Sequence, residues 1–127
     1  MEVPGSSFRP TQQQRNWAML AHLCGLAFFM PPFGNIAGPL LIWQVKRVEL
    51  GEFVGASARE ALNFQFTFVA LVFLFASLNI LPLPGIGGVS TLVILAMILS
   101  NVFFCVMAAL RTNQGEIYRY PYAFRPF

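Results

Sequence analysis

Apolar positions are grouped along the chain in long blocks rather than in a short alternating pattern. The apolar stretches cover about residues 17–33, 35–45, 58–81 and 89–111. The hydrocarbon core of a bilayer is roughly 30 Å thick and requires about 20 residues of helix. The last two stretches meet this length and the first two are short. The pattern therefore predicts an all-α integral membrane protein, a four-helix bundle with a short N-terminal helical hairpin and two full-length transmembrane helices.

The break between the first two stretches contains two consecutive prolines, Pro31 and Pro32. They remove two backbone donors and are expected to end the first helix. Asn35 is placed to cap a second helix, with Pro39 in its first turn. The chain then either continues as one long kinked span, which gives three helices, or reverses at the prolines, which gives four.

The basic residues favour the reversal. In the four-helix arrangement all eight Lys and Arg residues lie on one side of the membrane. The connections near residues 31–34 and 82–88 hold no charge. Basic residues collect on the cytoplasmic side of membrane proteins, so we expect a multi-pass protein of the cell membrane with both termini in the cytoplasm. Whether the short hairpin crosses the bilayer fully or re-enters on the same side is left open.

The interfacial aromatic residues agree with this arrangement. Trp and Tyr are enriched at membrane–water interfaces, and four helices bring the candidates to the cytoplasmic interface. The predicted anchors are Trp17, Trp43, Tyr118, Tyr120 and Tyr122.

The length of 127 residues allows one domain. Residues 1–15 are polar, lack a signal-peptide pattern and are predicted to form a flexible cytoplasmic tail. Residues 16–114 form the transmembrane domain, and residues 115–127 a cytoplasmic C-terminal tail. Thr11 is placed to cap a helix, and Gly115 to end the last one.

The composition excludes an ordinary soluble domain. Hydrophobic residues make up 57% of the chain and charged residues 10%, with a mean hydropathy of +0.64. Soluble domains are about a quarter charged. The net charge of +3 comes from basic residues that flank apolar stretches, which indicates contact with anionic lipid rather than with nucleic acid. The lipid bilayer is therefore the first predicted partner.

Small residues inside the apolar stretches indicate close packing. Cys24 and Cys105 are expected to pack as small hydrophobic side chains. Gly25 and Gly38 each follow a small residue by four positions, a spacing that allows helices to approach closely.

Glu60 follows Ser57 by three positions, just before an apolar stretch. This is the spacing of a capping box, in which both side chains satisfy free backbone donors at a helix start. The alternative is a carboxylate at the membrane face that binds a proton or a cationic partner.

Three further polar residues are candidate functional positions. Asn63 is predicted to share a helical face with Glu60 and Thr67, whereas Gln65 points elsewhere. Buried amides require partners, so both are expected to bond to other helices. His22 is the single histidine; it is either a hydrogen-bonded packing residue or a titrating group. No metal site or cofactor is predicted, because His22 has no second ligand nearby in the sequence.

Four ordered motifs, at residues 17–23, 32–40, 60–65 and 115–121, carry a resemblance. The chain resembles a family of small bacterial four-helix membrane proteins of unknown function. That family is in turn distantly similar to the twenty-kilodalton subunit of the Tic translocon, which acts in protein import at the chloroplast inner envelope. The resemblance implies a translocon-like subunit.

One departure from that family concerns the loop before residues 60–65. Members usually carry acidic residues and a histidine there, whereas this chain has Gly55, Ala56 and Ser57. A metal or proton role that depends on that loop is therefore not expected here.

The residues and the resemblance together favour a non-enzymatic, accessory or translocon-like subunit. It would act by binding other membrane proteins, lipids or further copies of itself. The alternative is a small transporter or channel, which would require oligomers because four helices rarely enclose a path alone. Hydrolase and phosphate-binding motifs are missing from the sequence, so an enzyme is not predicted.

Overall fold

A computed structural model describes residues 9–29, 34–121 and 123–127, and these residues form an all-α fold. Four α-helices follow one another in the described residues: α1 (Gln12–Leu23), α2 (Gly34–Leu50), α3 (Glu52–Ser77) and α4 (Ile86–Asn113). Two 3₁₀ segments, Cys24–Phe29 and Leu78–Ile80, extend α1 and α3. The four-helix prediction is confirmed.

The start of α1 and the end of α4 follow the local sequence signals. The Thr11 hydroxyl accepts a hydrogen bond from the backbone N–H of Gln14, and the Gln14 side chain accepts one from the N–H of Thr11. The predicted cap is confirmed, and α1 already includes residues 12–15. Gly115 has a φ of 93° and ends α4 in a turn that satisfies the last carbonyls.

The chain reverses between α1 and α2. A Cβ on Gly38 would lie 2.5 Å from the Cβ of Cys24, so α2 packs directly against the 3₁₀ segment that follows α1. A single straight span would separate these positions by about 21 Å at 1.5 Å per residue, which excludes the three-helix arrangement. The predicted turn at Pro31 and Pro32 lies outside the described residues.

The connection between α2 and α3 is much shorter than the sequence predicts. α2 continues through Lys46 and Arg47 to Leu50, and α3 begins at Glu52. Only Gly51, with a φ of 92°, separates them. Basic side chains near a helix C-terminus interact favourably with its dipole, so α2 continues through the charged pair instead of ending with the apolar stretch at residue 45.

Two predicted helix starts are wrong, because the residues proposed as caps lie inside the helices. Ser57 and Glu60 lie inside α3 rather than at its start, because α3 begins at Glu52. Asn35 lies inside α2 and is buried. Pro39 is likewise inside α2 and has no N–H to donate, so the carbonyl of Asn35 lacks its usual helical partner.

The two long helices are long and apolar enough to cross a membrane. The segments are Glu52–Ile80, with 29 residues, and Ile86–Asn113, with 28 residues. An 18-residue stretch within each has a mean hydropathy of 1.9 and 2.6, respectively. Large apolar side chains on both remain exposed on the outside of the bundle. They include Phe73, Leu74, Leu92, Leu99 and Phe103.

Charged residues are concentrated at one end of the bundle. The Gln14 amide donates to the carbonyl of Leu50 (2.8 Å), and Gly115 packs against Pro10. These contacts bring together the start of α1, the α2–α3 junction and the end of α4. This charged end comprises residues 9–16, 46–60, 111–121 and 123–125. At the opposite end, residues 81–85 connect α3 to α4 without a charged side chain.

Candidate functional site

A hydrogen-bonded cluster of amides lies in the interior of the bundle, and we refer to it as the Gln65 network. Gln65 is fully buried. Its Oε1 accepts a hydrogen bond from Asn35 Nδ2 (2.8 Å), and its Nε2 donates to Asn101 Oδ1 (2.7 Å) and to Cys105 Sγ (3.2 Å). The network joins α2, α3 and α4. The expected bonding of Gln65 to other helices is confirmed.

Gly25 allows the helices to close around this network. Asn101 Nδ2 donates to the carbonyl of Gly25 (3.1 Å), which ties α4 to the 3₁₀ segment after α1. A Cβ on Gly25 would overlap the Gln65 amide and the sulfur of Cys105. A larger residue would therefore separate the elements that satisfy the buried amides. The predicted close contacts at Gly25 and Gly38 are confirmed.

His22 is also fully buried, beside the C-terminal residues. Its Nδ1 lies 2.8 Å from the hydroxyl oxygen of Tyr120, and the two rings are 5.5 Å apart. The Tyr120 ring stacks on Phe64 at 4.0 Å. His22 Nε2 has no hydrogen-bond partner among the described residues. His22 thus packs in the interior with one of its two nitrogens bonded.

Glu60 holds the C-terminal segment, by which we mean residues 116–121 and 123–127. Its Oε1 accepts from the backbone N–H of Tyr120 (2.8 Å) and from Arg125 Nη2 (2.6 Å). Its Oε2 accepts from Arg125 Nε (3.2 Å). Glu60 is nearly buried, and the hydrogen bond to it raises the pKa of Arg125. The carboxylate therefore binds a cationic partner, but that partner lies in the same chain.

Asn63 and Thr67 continue the same face of α3, as the spacing predicts. Asn63 Oδ1 accepts from the backbone N–H of Phe127 (3.2 Å). Thr67 Oγ1 accepts from the backbone N–H of Phe124 (2.8 Å). Asn63 was expected to bond to another helix, and this prediction is wrong. It binds the C-terminal segment instead, because that segment occupies this face of α3.

Tyr120 connects Glu60 of α3 with His22 of α1. Its backbone binds Glu60 and its hydroxyl binds His22, and its side chain is 2% exposed. Burial raises the pKa of the Tyr120 phenol well above its ordinary value, so the hydroxyl stays protonated. Tyr120 was predicted as an interfacial anchor. Its ring instead packs inside the protein, since residues that are distant in sequence enclose it.

The other predicted anchors are half-buried near the charged end. Lys46 Nζ lies 4.5 Å from the centre of the Trp17 ring, and Arg47 lies 5.0 Å from the centre of the Trp43 ring. Such pairs contribute about 0.5–1 kcal/mol at exposed sites. The Tyr118 ring contacts Tyr120 edge to face. Tyr122 lies outside the described residues.

Each glutamate that the structure describes is paired with a basic side chain. The pairs are Lys46–Glu49, Arg59–Glu52, Arg111–Glu116 and Arg125–Glu60. Within the described ranges, no group of three or more His, Cys, Asp and Glu side chains could hold a metal ion. Cys24 and Cys105 are free thiols.

Several residues of these sites were missed or assigned other roles from the sequence. Asn35 was predicted as a helix cap, Cys105 as a packing residue and Arg125 as a charge in a tail. The sequence signal for such a site is an amide side chain within an apolar stretch, as at Asn101. This signal predicts that the amide has a hydrogen-bond partner but does not identify the partner.

Comparison with known proteins changes the family that the sequence motifs suggested. No curated protein and no solved structure gives a significant match to the chain. A similarity to the Tic translocon subunit is therefore not supported. The model of the MamF/MmsF family matches residues 13–127, which include α1 from its second residue onward, the other three helices and the C-terminal segment. The chain belongs to this family, the magnetosome magnetite crystal formation protein family.

Proposed function

We propose that the protein is a small multi-pass membrane protein that takes part in magnetite crystal formation as a non-enzymatic accessory subunit. It would reside in the membrane that encloses the crystal and bind other membrane proteins or lipids there. The family match over residues 13–127 carries this proposal. Two helices that are long and apolar enough to cross a bilayer support it.

The distribution of charge supports an orientation. The basic residues of the described chain belong to the charged end or pack against it, and the connection between α3 and α4 is uncharged. Under the positive-inside rule, both termini would lie in the cytoplasm. α1 with its 3₁₀ extension covers Gln12–Phe29, and α2 has 17 residues. Since a span requires about 20 residues of helix, the hairpin would thin the bilayer or enter it only in part.

This orientation has a consequence for how the protein would act on the crystal. The side opposite the cytoplasm would face the mineral, and residues 81–88 on that side contain no Asp, Glu, His or Cys. Oxygen, nitrogen and sulfur ligands of these types are what iron sites use. The protein would therefore influence crystal formation through its membrane partners, rather than by binding iron or mineral with its own side chains.

The test is deletion and complementation in a magnetite-forming bacterium that carries this chain. Deletion should alter the size or number of the crystals seen by electron microscopy, and the wild-type chain should restore them. The Glu52→Gln variant, which changes an exposed ion pair, is a matched control that should also restore them. Unchanged crystals after deletion, or a protein that fractionates away from the crystal-enclosing membrane, would refute the proposal.

The Gln65 network supports a second candidate, a small oligomeric transporter. Buried amides within apolar helices often line a path for a substrate or an ion. Flux into liposomes that contain the purified protein, lost in the Gln65→Leu variant, would support this function. Absence of flux, or flux that Gln65→Leu leaves unchanged, would contradict it and would leave the hydrogen bonds from Gln65 to three other side chains a structural role.

A further inference from the structure

The C-terminal segment binds α3 largely through its backbone. Glu60, Asn63 and Thr67 accept hydrogen bonds from the backbone N–H groups of Tyr120, Phe127 and Phe124, respectively. The Thr67 hydroxyl also lies 3.4 Å from the carbonyl oxygen of Phe124. One face of α3 therefore forms a docking site for an extended segment, as in the recognition of peptides through main-chain hydrogen bonds.

Two side chains of the segment add specificity to this docking site. Tyr120 enters a pocket formed by His22 and Phe64. Arg125 forms two hydrogen bonds with Glu60. The site is thus matched to one sequence, the C-terminal segment of this protein, and every further copy of the chain carries that sequence.

The docking site is accessible from the side of the bundle. Phe124 is 68% exposed and Phe66, which contacts Phe127, is 40% exposed. Residues 116–119, which connect α4 to the docked part, have mostly exposed side chains. Four extended residues span roughly 13 Å, whereas packed helices are 8–10 Å apart. The connection is therefore long enough to reach a helix of a neighbouring molecule.

We propose that two copies of the protein exchange their C-terminal segments, so that Tyr120 and Arg125 of one copy bind His22 and Glu60 of the other. The exchange forms the same contacts as the closed chain and therefore loses none of them. This inference rests on the proposed membrane insertion. Copies with the same orientation place their docking sites at the same depth, so a segment that extends sideways meets the equivalent face of α3.

The experiment uses disulfide formation between two differently tagged chains in a Cys24→Ala, Cys105→Ser background. One chain carries Thr67→Cys and the other carries Phe124→Cys, so neither chain can form the contact within itself. A single chain with both substitutions shows whether the two positions can be linked. Leu74→Cys, on the same exposed side of α3 but further along it, replaces Thr67→Cys in the control for random collision.

Exchange predicts a disulfide-linked dimer of both tags from the Thr67 and Phe124 pair, at several-fold higher yield than from the Leu74 and Phe124 pair. Equal yields from the two pairs would refute it. Linkage only within the doubly substituted chain would refute it as well.

A second measurement covers the case in which the two positions form no disulfide at all. Two tagged wild-type chains should co-purify in mild detergent, and Tyr120→Ala with Arg125→Gln should abolish the association. No association, or association that these substitutions leave unchanged, would contradict exchange. Either result leaves the role in crystal formation untouched, since that role is tested separately by deletion.

Discussion

The hydroxyl oxygen of Tyr120 lies 2.8 Å from Nδ1 of His22, across 98 residues of chain. This hydrogen bond ties the C-terminal segment to the first helix of the bundle. The same tyrosine stacks on Phe64 of α3 and packs in one cluster with Cys105 of α4. One side chain therefore links α1, α3 and α4 after the chain has left the last helix.

We expect Tyr120→Phe to destabilise the protein, because it leaves Nδ1 of a fully buried His22 without a partner. An unsatisfied buried polar group costs about 1–3 kcal/mol. The measurement is thermal unfolding in detergent, with a lower Tm expected for the variant. Adding His22→Phe to Tyr120→Phe should restore part of the lost stability, since two apolar rings then face each other and no buried nitrogen lacks a partner. Strictly additive effects in the double variant would show that the two side chains do not interact.

Glu60→Gln should release the C-terminal segment from α3. The substitution removes the charge that binds Arg125 and weakens the bond to the Tyr120 amide. Hydrogen exchange of the amides in residues 118–127 should become several-fold faster, while the interior of α4 stays protected. Glu52→Gln, which affects an exposed pair with Arg59, should leave exchange in the segment unchanged. The same acceleration in both variants would contradict a specific role of Glu60.

Gly25→Ala should disturb the Gln65 network. The added methyl group would overlap the Gln65 amide and Cys105, and overpacking of this kind costs about 1–3 kcal/mol. Gly88→Ala in α4 is the matched control, because nothing lies within 4 Å of a Cβ at that position. The control should keep or raise the Tm, since Ala favours a helix over Gly. A Tm for Gly25→Ala equal to that of the wild type would mean that the helices do not approach so closely there.

The proposed orientation predicts which side of the membrane each end faces. In the Cys24→Ala, Cys105→Ser background, Leu83→Cys lies in the uncharged connection and Val48→Cys lies at the charged end; both positions are exposed. In intact crystal-containing vesicles isolated from cells, whose outer face is the cytoplasmic one, a membrane-impermeant thiol reagent should label Val48→Cys, and should label Leu83→Cys only after detergent opens the membrane. The reverse pattern would invert the topology, and labelling of both in intact vesicles would contradict a membrane-spanning bundle.

The sequence by itself determined the helical class, the two long apolar helices and the reversal of the chain after α1. Each follows from a local or additive property, such as the length of an apolar stretch, the cap at Thr11, the glycine at position 115 or the distribution of basic residues. Such signals act within a few residues, or sum over a segment, and do not depend on what lies across the fold.

The tertiary structure decided which polar groups meet. Gln65 binds Asn35 and Asn101, which lie 30 and 36 residues away in the chain. Glu60, which was predicted to cap a helix, binds Arg125 instead, 65 residues away. A buried amide or carboxylate requires a partner, but several candidates in the sequence satisfy that requirement equally well. The choice among them depends on how closely the helices pack, which small residues such as Gly25 permit, and on the return of the C-terminal segment to α3.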